Sequence, residues 1–210
     1  MNPVTILAVR YLASATPTLS RELGAPEGYP CLGLLTTDCD DATYIALDEA
    51  TKAADVQVCF GSSFYAGASN ASTPHAGEVL GILCAATPGA LRSGMETALG
   101  ALERIGFEER GNVPYLAHTL SSCGSFLAKE AGVAEGSALA YLIAPPLESM
   151  YAMDAALKAA DVKLCKLYTP PSETNFGGGL LSGSQSACEA ACAAFAGAVE
   201  EFGRMYHGIG

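Results

Sequence analysis

Basic residues are scarce in this chain of 210 residues, in which 11 Lys and Arg stand against 22 Asp and Glu and the formal net charge is −11. The phosphate backbone of a nucleic acid is bound by clustered Lys and Arg, whereas the basic residues here are spread along the chain. We therefore expect no nucleic-acid partner. An acidic surface instead favours nearby small cations and keeps a dense assembly soluble until specific contacts form.

Long apolar runs are also missing. No run reaches the length of about 18 to 20 uncharged apolar residues that a membrane-spanning helix needs. The apolar residues 4–9 are followed by Arg10 and lack a basic leader, so we predict neither a membrane span nor a signal peptide. We therefore expect the protein to be in the cytoplasm. The eight cysteines lie among apolar residues, which favours reduced, mostly buried thiols over a disulfide framework.

Motifs of the common enzyme classes are absent. The sequence has no Gly-x-Ser-x-Gly elbow, no phosphate-binding glycine loop and no dinucleotide fingerprint. Its three histidines, His75, His118 and His207, follow no zinc or catalytic spacing. We therefore predict that the protein is not an enzyme, and that it has no catalytic residues, no bound metal and no cofactor.

The sequence does contain an internal repeat. Residues 48–59 (DEATKAADVQVC) match residues 154–165 (DAALKAADVKLC) at 8 of 12 positions, 106 residues apart. Residues 21–28 also match residues 129–136, with both glutamates and both glycines kept. This predicts a tandem duplication. A helical pattern that ends near Gly106 separates a first domain at residues 1–108 from a second domain at 109–210.

Each copy reads in the order strand, short helix, strand, helix, strand, long loop, strand, helix. In the first copy we predict strands at 5–11, 32–36, 56–60 and 79–84, and helices at 16–24, 41–54 and 87–105. In the second copy we predict strands at 113–120, 139–143, 162–167 and near Leu180, and helices at 154–160 and 185–205. The predicted fold class is α/β (α+β), each domain having a small mixed sheet flanked by helices.

The longest irregular stretches, residues 60–78 and 168–183, occupy the same place in the two copies and are rich in Gly, Ser, Asn and Pro. Long loops in compact domains often carry function, although loops that are merely exposed and solvated have the same composition. Their glycines widen the accessible backbone conformations and would allow two arrangements.

Three aspartates, Asp38, Asp40 and Asp41, cluster just before a predicted helix. Capping accounts for such a cluster, because an aspartate accepts free backbone N–H groups at a helix start. One aspartate suffices for that, so the surplus could hold a small ammonium ion together with Glu78. On the residues alone, capping leads for all three.

Two cysteine patterns leave metal binding open. Cys188 and Cys192 are four residues apart in a predicted helix and share one of its faces. Cys59 and Cys165 hold equivalent positions in the repeat, which favours a shared packing role. Closed zinc sites use tighter ligand spacing, so we interpret these thiols as structural, with metal binding as the alternative.

Several longer segments resemble one family: residues 32–52 (LGLLTTDCDDATYIALDEATK), 65–68 (YAGA), 76–79 (AGEV), 144–148 (APPLE), 170–175 (PPSETN) and 183–188 (GSQSAC). In this order they resemble the EutL family, the shell proteins of bacterial microcompartments for ethanolamine utilisation. The resemblance covers almost the whole chain. It implies two tandem, circularly permuted microcompartment domains, and a homotrimer that forms a pseudohexameric tile beside other shell proteins in the cytoplasm.

The resemblance also implies functional residues. Members of this family have a central pore that loops open and close, which implies pore-loop positions at Phe64, Tyr65, Gly67, Asn70, His75, Asn175, Phe176, Gly177, Gly178 and Gly179. It further implies an ethanolamine site at Asp40, Glu78 and Phe107, in which Phe107 would offer a cation–π face or a backbone carbonyl. A small-molecule-binding regulatory module that is not built into a shell stays as the alternative.

Overall fold

The computed structural model describes residues 3–64, 78–169 and 175–206. The chain divides into two compact units, and each is described separately below. The first unit contains Pro3–Gly106 together with Gly124–Leu127, and the second contains Phe107–Cys123 and the chain from Ala128 onwards. The short segment Gly124–Leu127 thus belongs by its contacts to the first unit, although it lies within the second sequence copy.

The first unit is a four-stranded sheet in the order β1-β2-β4-β3 with three helices. Helices α2 and α3 pack against each other and against the sheet. The elements are β1 (Ile6–Leu12), α1 (Pro17–Glu22), β2 (Cys31–Thr37), α2 (Asp40–Ala53), β3 (Gln57–Ser63), β4 (Val79–Ala85) and α3 (Pro88–Leu102).

The second unit is a five-stranded sheet in the order β5-β6-β7-β9-β8, on which α5 and α6 pack. Its core includes Leu142, Ala156, Leu181, Phe195 and Val199. The elements are β5 (Glu108–Arg110), β6 (Val113–Leu120), α4 (Ser125–Ala131, whose first turn belongs to the first unit), β7 (Ala138–Ala144), α5 (Pro146–Ala159), β8 (Val162–Tyr168), β9 (Gly177–Gly183) and α6 (Gln185–Tyr206).

The predicted α/β fold class is confirmed, but the prediction of mixed sheets is wrong. Every strand pair that the structure describes is antiparallel. The strands β2 and β3, which α2 connects, run in the same direction, and β4 lies between them and pairs with both. The strand β9 separates β7 from β8 in the same way. A central strand inserted between two parallel strands therefore makes all neighbouring pairs antiparallel.

Capping residues set two helix starts as the sequence predicts. The Thr16 hydroxyl accepts a hydrogen bond from Leu19 N at 3.4 Å at the start of α1, and the Thr87 hydroxyl accepts one from Ala90 N at 3.2 Å at the start of α3. A proline follows each threonine, which suits the first helical turn. Gly24 closes the α1 turn with φ +76°.

Helix α5 begins at Pro146, eight residues before the predicted start at Asp154. The residue before this helix is Pro145, which has no side-chain acceptor for a capping bond. The sequence therefore lacked the usual start signal. Strand β5 was not predicted either, because its three residues, Glu108–Arg110, are all exposed and show no alternation.

No helix in the described ranges combines the length and apolar character that a membrane crossing requires.

Candidate functional site

The start of α2 is organised by threonine hydroxyls. The Thr37 and Thr43 hydroxyl oxygens lie 2.7 Å apart, and Cys39 N donates to the Thr37 hydroxyl at 3.1 Å. Cys39 is the N-cap residue, and its side chain makes no capping bond. The turn from β2 into α2 is therefore held in part by the threonine hydroxyls.

Asp40 and Asp41 occupy the first turn of α2 and are both only 7% exposed. An Asp40 carboxylate oxygen accepts a hydrogen bond from Asp41 N at 2.9 Å. Asp38, just before the helix, accepts one from Thr5 N at 2.8 Å, which ties it to the start of the chain's first strand. Asp40 thus accepts from an N–H group in the first turn of α2, in keeping with the capping interpretation, whereas the acceptor bond of Asp38 goes to Thr5 N outside that helix, so this bond does not cap α2.

Glu78 brings a further carboxylate to this place. Its backbone N donates to Thr37 O at 2.9 Å, which holds it beside the end of β2. Burial raises the pKa of Glu78 above its ordinary value of 4.5, and the charges of Asp40 and then Asp38 raise it further. The three carboxylates therefore share one region, and their mutual repulsion favours a bound cation.

Phe107, the third predicted ligand residue, belongs to the second unit. Its ring packs edge-on against Phe176 with ring centroids 5.2 Å apart and an interplanar angle of 63°. Phe176 is one of the predicted pore-loop residues and immediately precedes β9. Before it, Asn175 has the left-handed value φ +61°. The aromatic pair therefore anchors the entry into β9, which is a packing role for Phe107.

Four predicted pore-loop residues, Tyr65, Gly67, Asn70 and His75, lie outside the described residues. Phe64 is the last residue described before them, and its side chain is 38% exposed. Its backbone N donates to Glu78 O at 2.9 Å. Glu78, the first residue described after the segment, is thus hydrogen-bonded to Phe64, the last residue described before it. Glu78 is also the residue whose carboxylate interacts with Asp40.

Placing Gly177, Gly178 and Gly179 in a loop was wrong, because all three lie in strand β9 and are buried. Gly178 has φ +148°, and a Cβ atom there would lie 1.9 Å from Leu142 O. A Cβ at Gly179 would lie 2.3 Å from Lys166 O, and one at Gly177 would lie 2.7 Å from the Ser149 hydroxyl. These glycines permit close approach of β9 to β7, β8 and α5. Consecutive glycines were read as loop composition because they show no strand alternation.

Comparison with known proteins identifies the family of the chain. The chain is 53% identical over 199 residues to the bacterial microcompartment shell protein EutL of Clostridium perfringens, covering 93% of this chain and 92% of that one. The chain belongs to the EutL family of bacterial microcompartment shell proteins.

Solved structures agree with this membership. The crystal structure of the ethanolamine utilization protein EutL from Leptotrichia buccalis is 54% identical, covers 95% of this chain and 94% of its own, and superimposes with a TM-score of 0.90. A structure described as a trimeric bacterial microcompartment shell protein, PduB, shares the fold at 19% identity with a TM-score of 0.80, covering 94% of this chain and 88% of its own. No protein-family model matches the chain.

Tyr44 is a residue near the acidic site that sequence reasoning missed in this EutL-family chain. Its hydroxyl lies 2.5 Å from the Ser63 hydroxyl at the end of β3, and its ring packs on Phe126 with centroids 6.0 Å apart. Tyr44 follows Asp40 by four residues on α2, a spacing that puts both on one helix face. That spacing was the available signal. Tyr44 thereby links the face carrying Asp40 to the strand end that precedes Phe64.

The cysteines of this EutL-family chain form no disulfide in the described structure. Within the described part, no group of three or more His, Cys, Asp and Glu side chains is arranged to hold a metal ion. Cys188 and Cys192 are both buried on α6, and the Thr119 hydroxyl donates to the Cys192 sulfur at 3.2 Å. Burial raises the pKa of Cys192 to about 11, so this thiol is protonated at neutral pH.

Proposed function

We propose that the protein is a non-enzymatic tile of an ethanolamine-utilisation microcompartment shell in the cytoplasm. Three chains form a pseudohexameric ring beside other shell proteins, and metabolites pass through a central pore gated by loops. Ethanolamine is the ligand that regulates the loops. The observation that supports this most is Glu78, whose carboxylate has its pKa raised by burial and by the charges of Asp40 and Asp38 and whose backbone oxygen accepts from Phe64 N at 2.9 Å.

The acidic site suits a small ammonium compound. An ammonium group donates three hydrogen bonds, and its positive charge is opposite to the charges of the Asp40 and Glu78 carboxylates. Because the two carboxylates are partly desolvated, a charge-assisted hydrogen bond there is stronger than at an exposed site. The site lies at the start of α2, where the Thr37 and Thr43 hydroxyls also hold the turn from β2.

Ligand binding can reach residues 65–77 through Glu78. A ligand bound to the Glu78 carboxylate contacts the residue that follows this segment. The backbone oxygen of Glu78 accepts a hydrogen bond from Phe64 N, the residue that precedes the segment. Tyr44 holds the same strand end from the other side through Ser63. The ligand shifts the loop only if it binds one loop arrangement more tightly than the other.

The ring follows from the duplication. A chain with two similar domains can use equivalent surfaces of the two domains to contact neighbouring chains. Three such chains can then close into a ring of six domains. The fold is shared with PduB, which is described as trimeric. We expect the intact protein to have a solution mass of three chains of 21.4 kDa, measured by light scattering after size exclusion. A stable monomer at high concentration would contradict the tile and favour the alternative of a regulatory binding module outside a shell.

Removal of either carboxylate is expected to weaken ethanolamine binding. A charge-assisted hydrogen bond contributes about 1.5 to 3 kcal/mol, so Asp40→Asn and Glu78→Gln should each raise the Kd by about 10- to 100-fold in calorimetric titration. Asp154→Asn is the control for the loss of one carboxylate, because Asp154 is an exposed residue of α5 that pairs with Lys158. Unchanged Kd values in both site variants would contradict the ethanolamine site.

Binding should also depend on pH through Glu78. In the ligand-free protein its pKa is raised by burial and by Asp40 and Asp38, and the ammonium ligand prefers the ionised carboxylate. Aliphatic amines stay protonated well above this range. Affinity is therefore full above the raised pKa and falls as pH decreases through it. Calorimetry across that pH range should show the loss in the wild type and a smaller pH dependence in Glu78→Gln; equal profiles would show that Glu78 does not titrate with the ligand.

A further inference from the structure

Cys59 occupies a β-bulge in the first unit. Strand β3 pairs Val58 with Leu83 and Phe60 with Ile82 of β4, so Cys59 is the extra residue between two regular pairs. One pair earlier, Gln57 lies opposite Cys84. Cys59 is therefore the diagonal neighbour of Cys84 across the two strands.

The two thiols lie on the same face of the sheet. Cys84 is completely buried in an apolar cluster with Leu32 and Ile82, against which the partly buried Cys59 packs. The Cys59 thiol donates to Ile82 O at 3.6 Å, and its interaction with the Cys84 thiol raises the pKa of Cys59 and lowers that of Cys84, while burial opposes ionisation of both. The two thiols are therefore close enough to interact, and each carries its own proton.

A disulfide does not fit this register. Diagonal neighbours in an antiparallel pair have Cα atoms about 7 to 8 Å apart, whereas a disulfide requires about 4.4 to 6.8 Å. A metal ion reaches further, because two metal–sulfur bonds of about 2.3 Å on opposite sides of an ion separate the sulfur atoms by about twice that length. The diagonal pair therefore suits a bridging ion better than an S–S bond.

We propose that Cys59 and Cys84 form a two-thiolate binding site for a soft metal ion of the Cu(I) class. Thiolates are soft ligands that select such ions, and Cu(I) accepts two of them. The side chains of the surrounding Leu32, Ile82 and Phe60 offer no oxygen ligands for hard ions. Binding releases one proton from each thiol to solvent, and no electron is transferred.

A cavity of about 660 Å³ lies beside this cluster. Its wall includes Ala15, which belongs to the same cluster as Cys84, and Ala25 and Tyr29, which pack against that cluster. A buried metal site needs an entry path. We assign the approach of the ion to this cavity.

The second unit carries the same bulge without the second thiol. Cys165 is the extra residue of β8, between the pairs Leu164–Leu181 and Lys166–Leu180. Lys163 lies opposite Ser182, as Gln57 lies opposite Cys84. The Ser182 hydroxyl donates to Ala138 O at 3.1 Å. The diagonal thiol pair is therefore confined to the first unit. In the second unit burial raises the pKa of Cys188 on α6, and the charge of Cys165 raises it further.

The test is an anaerobic Cu(I) titration of the full chain against a chromogenic Cu(I) chelator. Wild-type protein should bind one tight equivalent more than Cys59→Ser and one more than Cys84→Ser. Cys165→Ser is the matched control and should keep that equivalent. Ser182→Cys should bind one tight equivalent of Cu(I) more than the wild type, because it places a thiol diagonal to Cys165 in the second unit. This gain does not depend on whether Cys84→Ser folds.

Cysteine alkylation read by mass spectrometry locates the ion, and Cu(I) should protect Cys59 and Cys84 together. The proposal is overturned if Cys59→Ser binds as much Cu(I) as the wild type, or if Ser182→Cys gains none. It is also overturned if mild oxidation joins Cys59 to Cys84 in a disulfide, because the register argument would then be wrong. None of these outcomes depends on the shell function or on ethanolamine.

Discussion

Gly178→Ala is expected to abolish folding of the second unit or to lower the free energy of unfolding by at least about 4 kcal/mol. The added Cβ would lie 1.9 Å from Leu142 O, and φ +148° is a conformation that alanine rarely adopts. Both obstacles are backbone features in the middle of the sheet. Relief would require β9 to move away from β7, which would break the pairing from Ala138–Gly183 to Ala144–Gly177.

The measurement is thermal and urea unfolding of the purified variant, followed by circular dichroism. Gly197→Ala is the matched control, since Gly197 is an exposed residue of α6 and a Cβ there would meet no atom within 4 Å. An alanine in a helix interior is favoured over glycine by about 1 kcal/mol, so this control should be neutral or more stable than the wild type. Wild-type stability in Gly178→Ala would contradict the close approach of β9 to β7.

Asp48→Ala is expected to lower the free energy of unfolding of the first unit by about 2 to 5 kcal/mol. Asp48 is fully buried, and its two carboxylate oxygens accept from Gly124 N at 2.6 Å and from Leu127 N at 2.8 Å. Burial raises the pKa of Asp48, and these two hydrogen bonds oppose that rise. Alanine would leave both N–H groups without their acceptor at the start of α4.

Asp154→Ala tests whether the effect belongs to the site or to the residue type. Asp154 has the same place in the repeat, but its side chain is 64% exposed and pairs with Lys158 at 2.5 Å. Exposed pairs of this kind contribute about 0.2 to 1 kcal/mol, so the loss should be small. Similar losses in urea unfolding of the two variants would contradict the assignment of Asp48 as the acceptor that holds α4.

The two copies differ at this helix start for a local reason. Thr16 caps α1 with its own hydroxyl, whereas the repeat-equivalent position before α4 is Gly124. A Cβ at Gly124 would lie 2.2 Å from the Thr51 hydroxyl, so no side chain fits there. Asp48 supplies the missing acceptor from α2. Duplication therefore preserved the helix while the source of its cap changed.

Much of the candidate site was accessible before the structure. Clustered aspartates before a helix indicated a negatively charged region. The family resemblance then implied that Asp40 of this cluster and Glu78 bind ethanolamine. The structure adds the raised pKa of Glu78 and its backbone bond to Phe64, which no pattern predicts because the two residues are separated by 14 positions in the chain. Tyr44 could have been found from its helical spacing to Asp40. The packing of Phe107 on Phe176 could not, because it joins residues 69 positions apart.

The sequence by itself determined the duplication, the α/β class, the family and two capped helix starts, because each depends on local residue types or on self-similarity. Only the tertiary structure decided the strand directions, the role of Gly177–Gly183 and the diagonal placement of Cys59 and Cys84. These features depend on which strand inserts between which, and on how closely two backbones approach. Such long-range contacts are set by the packing of the whole unit. The local sequence around each residue therefore does not predict them.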